Sequence, residues 1–234
     1  MKWWEVLFQA KEFCCLCDHP HRNVSWAGVW ERICPSCCLR LSPISGPCCP
    51  LCGRQMGRVQ LCGDCRQHPE GILQCNVAVL RYTFYPKQLI RLLKYRGRER
   101  LAVPLAEMMA ERFYETGIRV NGVTYVPLHP EKWKERGFNQ SERLAHQVAQ
   151  QLHRPLVSTL DKIFPTPPQS QSSRRERIAA LQGSFQVKNA YRIKLTDSWL
   201  VVDDVYTTGT TLLECARMLK EAGAKQVFSL TFAR

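Results

Sequence analysis

No run in this 234-residue sequence approaches the roughly 18 consecutive apolar residues that a membrane-crossing helix needs. A spanning segment is therefore not expected. The opening stretch M-K-W-W-E-V-L-F-Q-A-K-E is interrupted by Glu5 and lacks the unbroken apolar region of a secretory leader. The sequence thus reads as cytoplasmic, a reducing setting in which disulfides are disfavoured. Acidic residues are few, 20 Asp and Glu against 33 Lys and Arg. Cysteine is nearly missing from the long C-terminal part, where Cys215 stands alone in a helical pattern. Aliphatic residues are sparse in the cysteine-bearing front, and a segment of about 60 residues so composed can bury little core.

What is present divides the chain in two. Twelve of the thirteen cysteines lie between Cys14 and Cys75. Residues 1–75 hold eight Lys/Arg and six Asp/Glu, net +2, which leaves 25 and 14, net +11, for residues 76–234. Two units, 1–75 and 76–234, are expected. The basic excess of the second concentrates polyanions around it and suits nucleotide phosphates, nucleic acid or an anionic membrane face, although plain solubility is also served by such a surface.

In the front, four C-x-x-C pairs follow one another: Cys14 with Cys17, Cys34 with Cys37, Cys49 with Cys52, and Cys62 with Cys65. Two residues between thiolates let both sulfurs face one tetrahedral Zn(II), and two such knuckles complete a four-cysteine site. Pairs one and two would close a first site and pairs three and four a second, with a crossed arrangement left open. Gly53 and Gly63, in C-P-L-C-G and L-C-G-D-C, stand where the second set of knuckles must turn tightly. For the first set, Cys15, Cys38, His19 and His21 stay open as substitute ligands; Cys48 and Cys75 have no partner at knuckle spacing and are expected to be buried as small hydrophobes. A redox role would need a thioredoxin-like strand-to-helix context, whereas Pro and Gly around these pairs give turns.

From Asn76 onward, short β-branched runs alternate with helical periods, an α/β signature. Strands are expected over Asn76–Tyr82, Val123–Leu128, Ser184–Val187, Trp199–Val202 and Gln226–Phe232. Helices are expected over Pro86–Tyr95, Leu101–Glu115, Asn139–Leu152 and Thr210–Ala222, the last stopped by Gly223. Parallel strands covered by helices follow, with ligands outside their carboxyl ends. One loop there is distinctive. In W-L-V-V-D-D-V-Y-T-T-G-T-T an apolar strand runs into Asp203 and Asp204 and then a small-residue loop opening onto a helix. Backbone N–H groups of Thr207, Thr208, Gly209, Thr210 and Thr211 can share one concavity, with the helix start adding positive potential, which suits a phosphate monoester. The adjacent carboxylates suit vicinal ribose hydroxyls or a nearby magnesium ion. The plainer alternative is an Asp-rich turn with a Thr cap.

That segment resembles the type I phosphoribosyltransferases, whose signature is an apolar strand, two acidic residues and a T-x-G-x-T-like loop. The fold implied is their parallel sheet, preceded here by a small four-cysteine zinc-ribbon unit. By the resemblance, Asp203 and Asp204 would hold the ribose of phosphoribosyl pyrophosphate (PRPP), with Mg(II), and Thr207–Thr211 its 5-phosphate. V-P-L-H-P-E-K-W-K-E-R-G-F-N-Q-S-E-R-L-A at 126–145 and T-P-P-Q-S-Q-S-S-R-R-E-R at 166–177 narrow it to the ComF family, the late-competence and DNA-utilisation branch. The position of Leu128 and His129 is the pyrophosphate loop of the fold this chain resembles. Pro165–Arg177 looks like a flap, with Arg174, Arg175 and Arg177 placed to neutralise pyrophosphate; a plain linker is the alternative. Arg136–Gln140 reads as a basic turn into a helix that Asn139 can cap, and Lys94 and Arg96 are candidates for further phosphate contacts.

The resemblance implies PRPP binding, a role in natural competence and DNA uptake, contact with the DNA-uptake machinery and a place at the periphery of its membrane apparatus. Basic segments at Arg91–Arg100, Lys132–Arg143 and Arg174–Arg177, interleaved with Tyr95, Trp133 and Phe138, fit single-stranded DNA, with core packing as the plainer role of the aromatics. The alternative is an active phosphoribosyltransferase acting on an unidentified nitrogenous base; no catalytic nucleophile is assigned. Because metal binding would supply most of the folding free energy of the front, chelation of the full chain is expected to release its structure. The check is loss of far-UV circular dichroism together with a rise in titratable thiols, and a chelated protein unchanged in both would refute the metal requirement.

Overall fold

The computed structural model describes residues 12–21, 28–95, 98–165, 183–188 and 197–234. In the front these form β1 (Glu12–Phe13), paired antiparallel with β2 (Pro20–His21), and the short helix α1 (Pro35–Cys38). Then come β3 (Asn76–Leu80), α2 (Phe84–Leu93), α3 (Ala102–Tyr114), β4 (Gly122–Tyr125), α4 (Pro130–Arg136) and α5 (Gln140–Gln151). A small antiparallel pair, β5 (Leu160–Lys162) and β6 (Phe185–Val187), precedes β7 (Ser198–Val205), α6 (Thr210–Glu221) and β8 (Gln226–Ala233).

The expected α/β architecture is present. β3, β8, β7 and β4 lie side by side in that order, all parallel. Parallel strands covered on both sides are apolar nearly throughout; seven of the eight residues of β7 are buried. Strand alternation sends Leu200 and Val202 to one face, where they pack with Leu105, Met109, Leu144 and Val148 of α3 and α5. Trp199 and Val201 go to the other, against Cys215 and Leu219 of α6, Leu160 and Phe185. The helices after β4 and after β7 thus cover opposite faces. Neighbouring strands whose connections diverge leave a crevice at their carboxyl ends, where ligands of open α/β sheets bind.

The cysteine-bearing front wraps the β3 edge. Cys14, Cys34 and Cys37 belong to the cluster of the α3/α5 face, and Cys49, Cys52, Cys62 and Cys65 to that of the α6 face. Between them, residues 42–44 run along β3: the Ile44 amide donates to Val79 O at 2.9 Å and the Arg81 amide to Ser42 O at 2.8 Å. On the far side, residues 155–157 line β4, with the Val123 amide donating to Pro155 O and the Val157 amide to Val123 O. Both flanks of the sheet are thereby covered.

Three expectations change. The strand expected at Ser184–Val187 stands outside the parallel sheet as β6, paired antiparallel with β5, because its partner is the neighbouring segment 160–162 rather than a sheet strand. Residues 130–136, read as a loop leading to a basic turn, form a helix, because His129 caps its start, Pro130 presets the first turn and Gly137, at φ 83°, closes it by donating to Trp133 O. Cys48 and Cys75 are half-buried rather than buried, since both lie where the front approaches the sheet without being enclosed by it.

The second quartet is fastened to the sheet by Asn76. Its amide side chain donates to Cys52 O (3.2 Å) and Thr231 Oγ1 (3.1 Å), and its Oδ1 accepts from Ser229 Oγ (2.9 Å), all buried. Asn76→Ala would orphan several of these groups; a loss of about 2–3 kcal/mol is expected, measured as a lower urea midpoint at unchanged slope.

Candidate functional site

The cysteines come together uncrossed: Cys14, Cys17, Cys34 and Cys37 form one group and Cys49, Cys52, Cys62 and Cys65 the other, all ligand atoms of each within 4.8 Å of one another. Cys15, Cys38, His19 and His21 stand outside both groups. The two quartets repeat one design. The third cysteine of each donates its backbone amide to the sulfur of the first, Cys34 to Cys14 at 3.3 Å and Cys62 to Cys49 at 3.4 Å. In both, the second and third sulfurs are 3.7 Å apart. A tetrahedral ion with bonds of about 2.3 Å sets its ligand sulfurs about 3.8 Å apart, so either group could hold a metal ion such as zinc. Burial pushes the Cys49 thiol up, but amides of Cys52, Cys62 and Leu51 outweigh it and bring it down to about 7, favouring the thiolate that metals bind.

At the carboxyl end of β7 the two acids part, as strand alternation requires. Asp203 Oδ1 accepts from Ser141 Oγ, at the start of α5, at 2.7 Å and from the Asp204 amide at 2.9 Å. Asp204 Oδ2 lies 2.5 Å from Lys94 Nζ, a contact without hydrogen-bond alignment and so an ion pair. Lys94, a candidate phosphate ligand, is thus held by a carboxylate; Arg96 lies outside the described residues. Burial first, then the charge of Asp204, raises the Asp203 carboxyl to about 7, against Ser141, the Asp204 amide and Lys94.

Beyond Val205 the chain turns through Tyr206, Thr207, Thr208 and Gly209 into α6. The amide nitrogens of Thr207 to Thr211 make no hydrogen bond among the described residues; the first helical bond belongs to Leu213, donating to Gly209 O at 2.8 Å. Five consecutive donors at the start of a 12-residue helix form a cradle for an anion. Gly209 is required there: φ is +83°, and a Cβ would lie 2.1 Å from the Tyr206 hydroxyl. Leu128 and His129 follow β4 beside this loop, the Val126 amide continuing the pairing to Val202 O; both are half-buried, and His129 caps α4. Arg174, Arg175 and Arg177 lie outside the described residues.

A model of the phosphoribosyl transferase domain matches residues 139–234. Over 96% of its length, and 95% of the relative's, the chain is 31% identical to the Bacillus subtilis protein named Competence protein ComFC. It is 34% identical to the Salmonella typhi DNA utilization protein YhgH, covering 92% of this chain and 93% of that one. The chain belongs to the ComF family. A Streptococcus pneumoniae ComFC is 26% identical over 86% of this chain and 87% of its own.

The stretch G-F-N-Q-S at 137–141 acquires physical roles in this frame. Phe138 is buried in contrast to Trp133, which is 52% exposed. Asn139 caps α5 by accepting from the Ser141 amide, while its Nδ2 donates to Val126 O at the end of β4. Gln140 accepts from Arg136, and Ser141 reaches Asp203. Sequence reasoning missed Ser141, Tyr206 and Arg234. Ser141 could have been found from its place in the first turn after the pyrophosphate-loop strand; the contacts of Arg234 span the whole chain and leave no local signal.

The Asp203 carboxyl predicts a pH signature. An unfolded Asp titrates near 3.9, so the raised folded value contributes stability that is complete below about pH 4 and lost as pH rises through about 7. Asp203→Asn removes the buried charge. At pH 8 the variant should be the more stable by on the order of 2 kcal/mol, with the difference shrinking toward pH 4; paired urea denaturation curves measure it.

Proposed function

We propose that this protein binds PRPP with Mg(II) in the loop after β7 and acts on DNA in competence or DNA utilisation, in the cytoplasm. The observation that carries the first half is the row of five unclaimed amides beside two acids. In this reading Thr207, Thr208, Gly209, Thr210 and Thr211 hold the 5-phosphate. Asp203 and Asp204 would take the ribose hydroxyls or hold the magnesium ion, which would offset the charge of the pyrophosphate. Binding frees Lys94 from Asp204. Leu128 and His129 border the pyrophosphate, and Arg174, Arg175 and Arg177 close over it. Residues 1–75 act as a zinc-bearing unit with one Zn(II) in each quartet, and residues 76–234 as the phosphoribosyltransferase-like unit.

The names carried by the relatives, competence protein and DNA utilization protein, support the second half. So does a cleft of about 610 Å³ outside α5, where Arg100, Arg143 and Trp133 line the wall together with Glu99 and Glu142. Two of the basic segments, around 91–100 and 132–143, meet there. An exposed indole with two arginines beside it suits a stacked base and flanking phosphates of single-stranded DNA. Proteins of the uptake machinery are the partners that role requires.

Calorimetric titration with PRPP is expected to show binding that needs Mg(II) and is lost in the Asp203→Asn, Asp204→Asn double variant. An oligodeoxythymidylate should bind with affinity falling at least tenfold between 50 and 200 mM salt, weaken about tenfold in Trp133→Ala, and be indifferent to the acidic pair. PRPP binding without magnesium dependence would sink the first half, and salt-independent DNA binding the second. Pyrophosphate release in a screen of nitrogenous bases would establish the transferase alternative.

A further inference from the structure

Arg234 joins the second cysteine quartet to the phosphate loop. Its side chain is only 5% exposed. Nη1 donates to Thr207 O at 2.6 Å and to Tyr206 O at 3.3 Å. The guanidinium carbon stands 4.8 Å from the centre of the Tyr206 ring, itself buried in the cluster that contains Cys49, Cys52, Cys62 and Cys65. Nη2 lies 3.8 Å from the carboxylate of Asp64, between Cys62 and Cys65, which Arg54 also holds at 2.5 Å.

Two consequences follow from this geometry. A trans peptide points its C=O and N–H in opposite directions, and this chain has no cis peptide bonds among the described residues. With the carbonyls of Tyr206 and Thr207 turned to Arg234, the amides of Thr207 and Thr208 must point away from the cysteine site, toward the open side of the loop, where Thr207 is exposed. Secondly, Nε and Nη2 are buried without an aligned hydrogen-bond acceptor. A buried guanidinium calls for negative charge nearby, and Asp64, shared with Arg54, supplies part of it. Four thiolates around one Zn(II) would carry a net charge of about −2, beside the Tyr206 ring on which the guanidinium rests.

We propose that Arg234 is a positioning residue, seated by the metal-loaded second quartet, that aims the Thr207 and Thr208 amides at the phosphate and so couples metal occupancy of that quartet to PRPP binding. The first quartet, on the other face of the sheet, has no part in it. The ligand half of the proposal rests on the PRPP reading above; the loop half does not.

The experiment uses the full chain with both quartets metal-loaded, compared with Arg234→Gln, Arg234→Lys, and the double variants Cys49→Ser, Cys62→Ser and Cys14→Ser, Cys34→Ser. Backbone order parameters of Thr207–Gly209 are read by nitrogen-15 relaxation, and PRPP·Mg affinity by calorimetry. In Arg234→Gln, with metal content and circular dichroism unchanged, order parameters should fall from about 0.85 to below about 0.6 and affinity at least tenfold, with Arg234→Lys recovering part of both. By linkage, PRPP should raise the metal affinity of the second quartet in the parent and not in Arg234→Gln. An ordered loop and parental affinity in Arg234→Gln would overturn the proposal, as would an equal effect from the Cys14, Cys34 variant. A parent that fails to bind PRPP would remove the earlier reading alone, because the order parameters still decide the role of Arg234.

Discussion

A strand enclosed on both faces has nowhere to put a charge until it ends, and β7 is built around that constraint. It pairs with β4 on one side and β8 on the other, and everything before Asp203 is apolar or small and buried. Its two acids emerge where the helices on either face begin. Alternation puts Asp204 on the face of Leu200 and Val202, where Lys94 at the end of α2 meets it, while Asp203, on the Val201 side, reaches Ser141 at the start of α5. The loop amides are left to whatever anion arrives, because the carboxylates are already engaged.

The cysteine quartets are integrated with this arrangement. Each fills a place in one of the two hydrophobic clusters that cover the sheet. Tyr85 Oη donates to Cys37 Sγ at 2.8 Å on one face, and Asn76 holds Cys52 O on the other. A metal in each quartet would organise residues that a front poor in aliphatics could not hold by burial, and the sheet in turn supplies each quartet with its floor.

Much of this was legible in the sequence because its signals are local. Apart from α4 and β5, the elements from Asn76 on lie within a few residues of where β-branched runs and helical periods put them, and the C-x-x-C spacing groups the thiols that share a point in space. The Asp-Asp and Thr-Thr-Gly-Thr-Thr segment announced its strand, loop and helix start by residue type alone. What was illegible is long-range. That the two acids take different partners depends on Ser141 and Lys94, which lie far from them in the chain. Helix α4 was hidden by a segment so polar that it has no buried face. Arg234 meets Asp64 and Thr207 across separations that no spacing encodes.

The segment at 42–44 has an implication beyond its few hydrogen bonds. It occupies the rim of β3 that would otherwise offer free amides and carbonyls to any extended peptide. A gene shortened to begin at Asn76 would encode a sheet with a sticky border and a stripped flank, prone to zip onto its own copies. Inheritance of the cysteine front together with the sheet is then a matter of solubility as much as of chemistry.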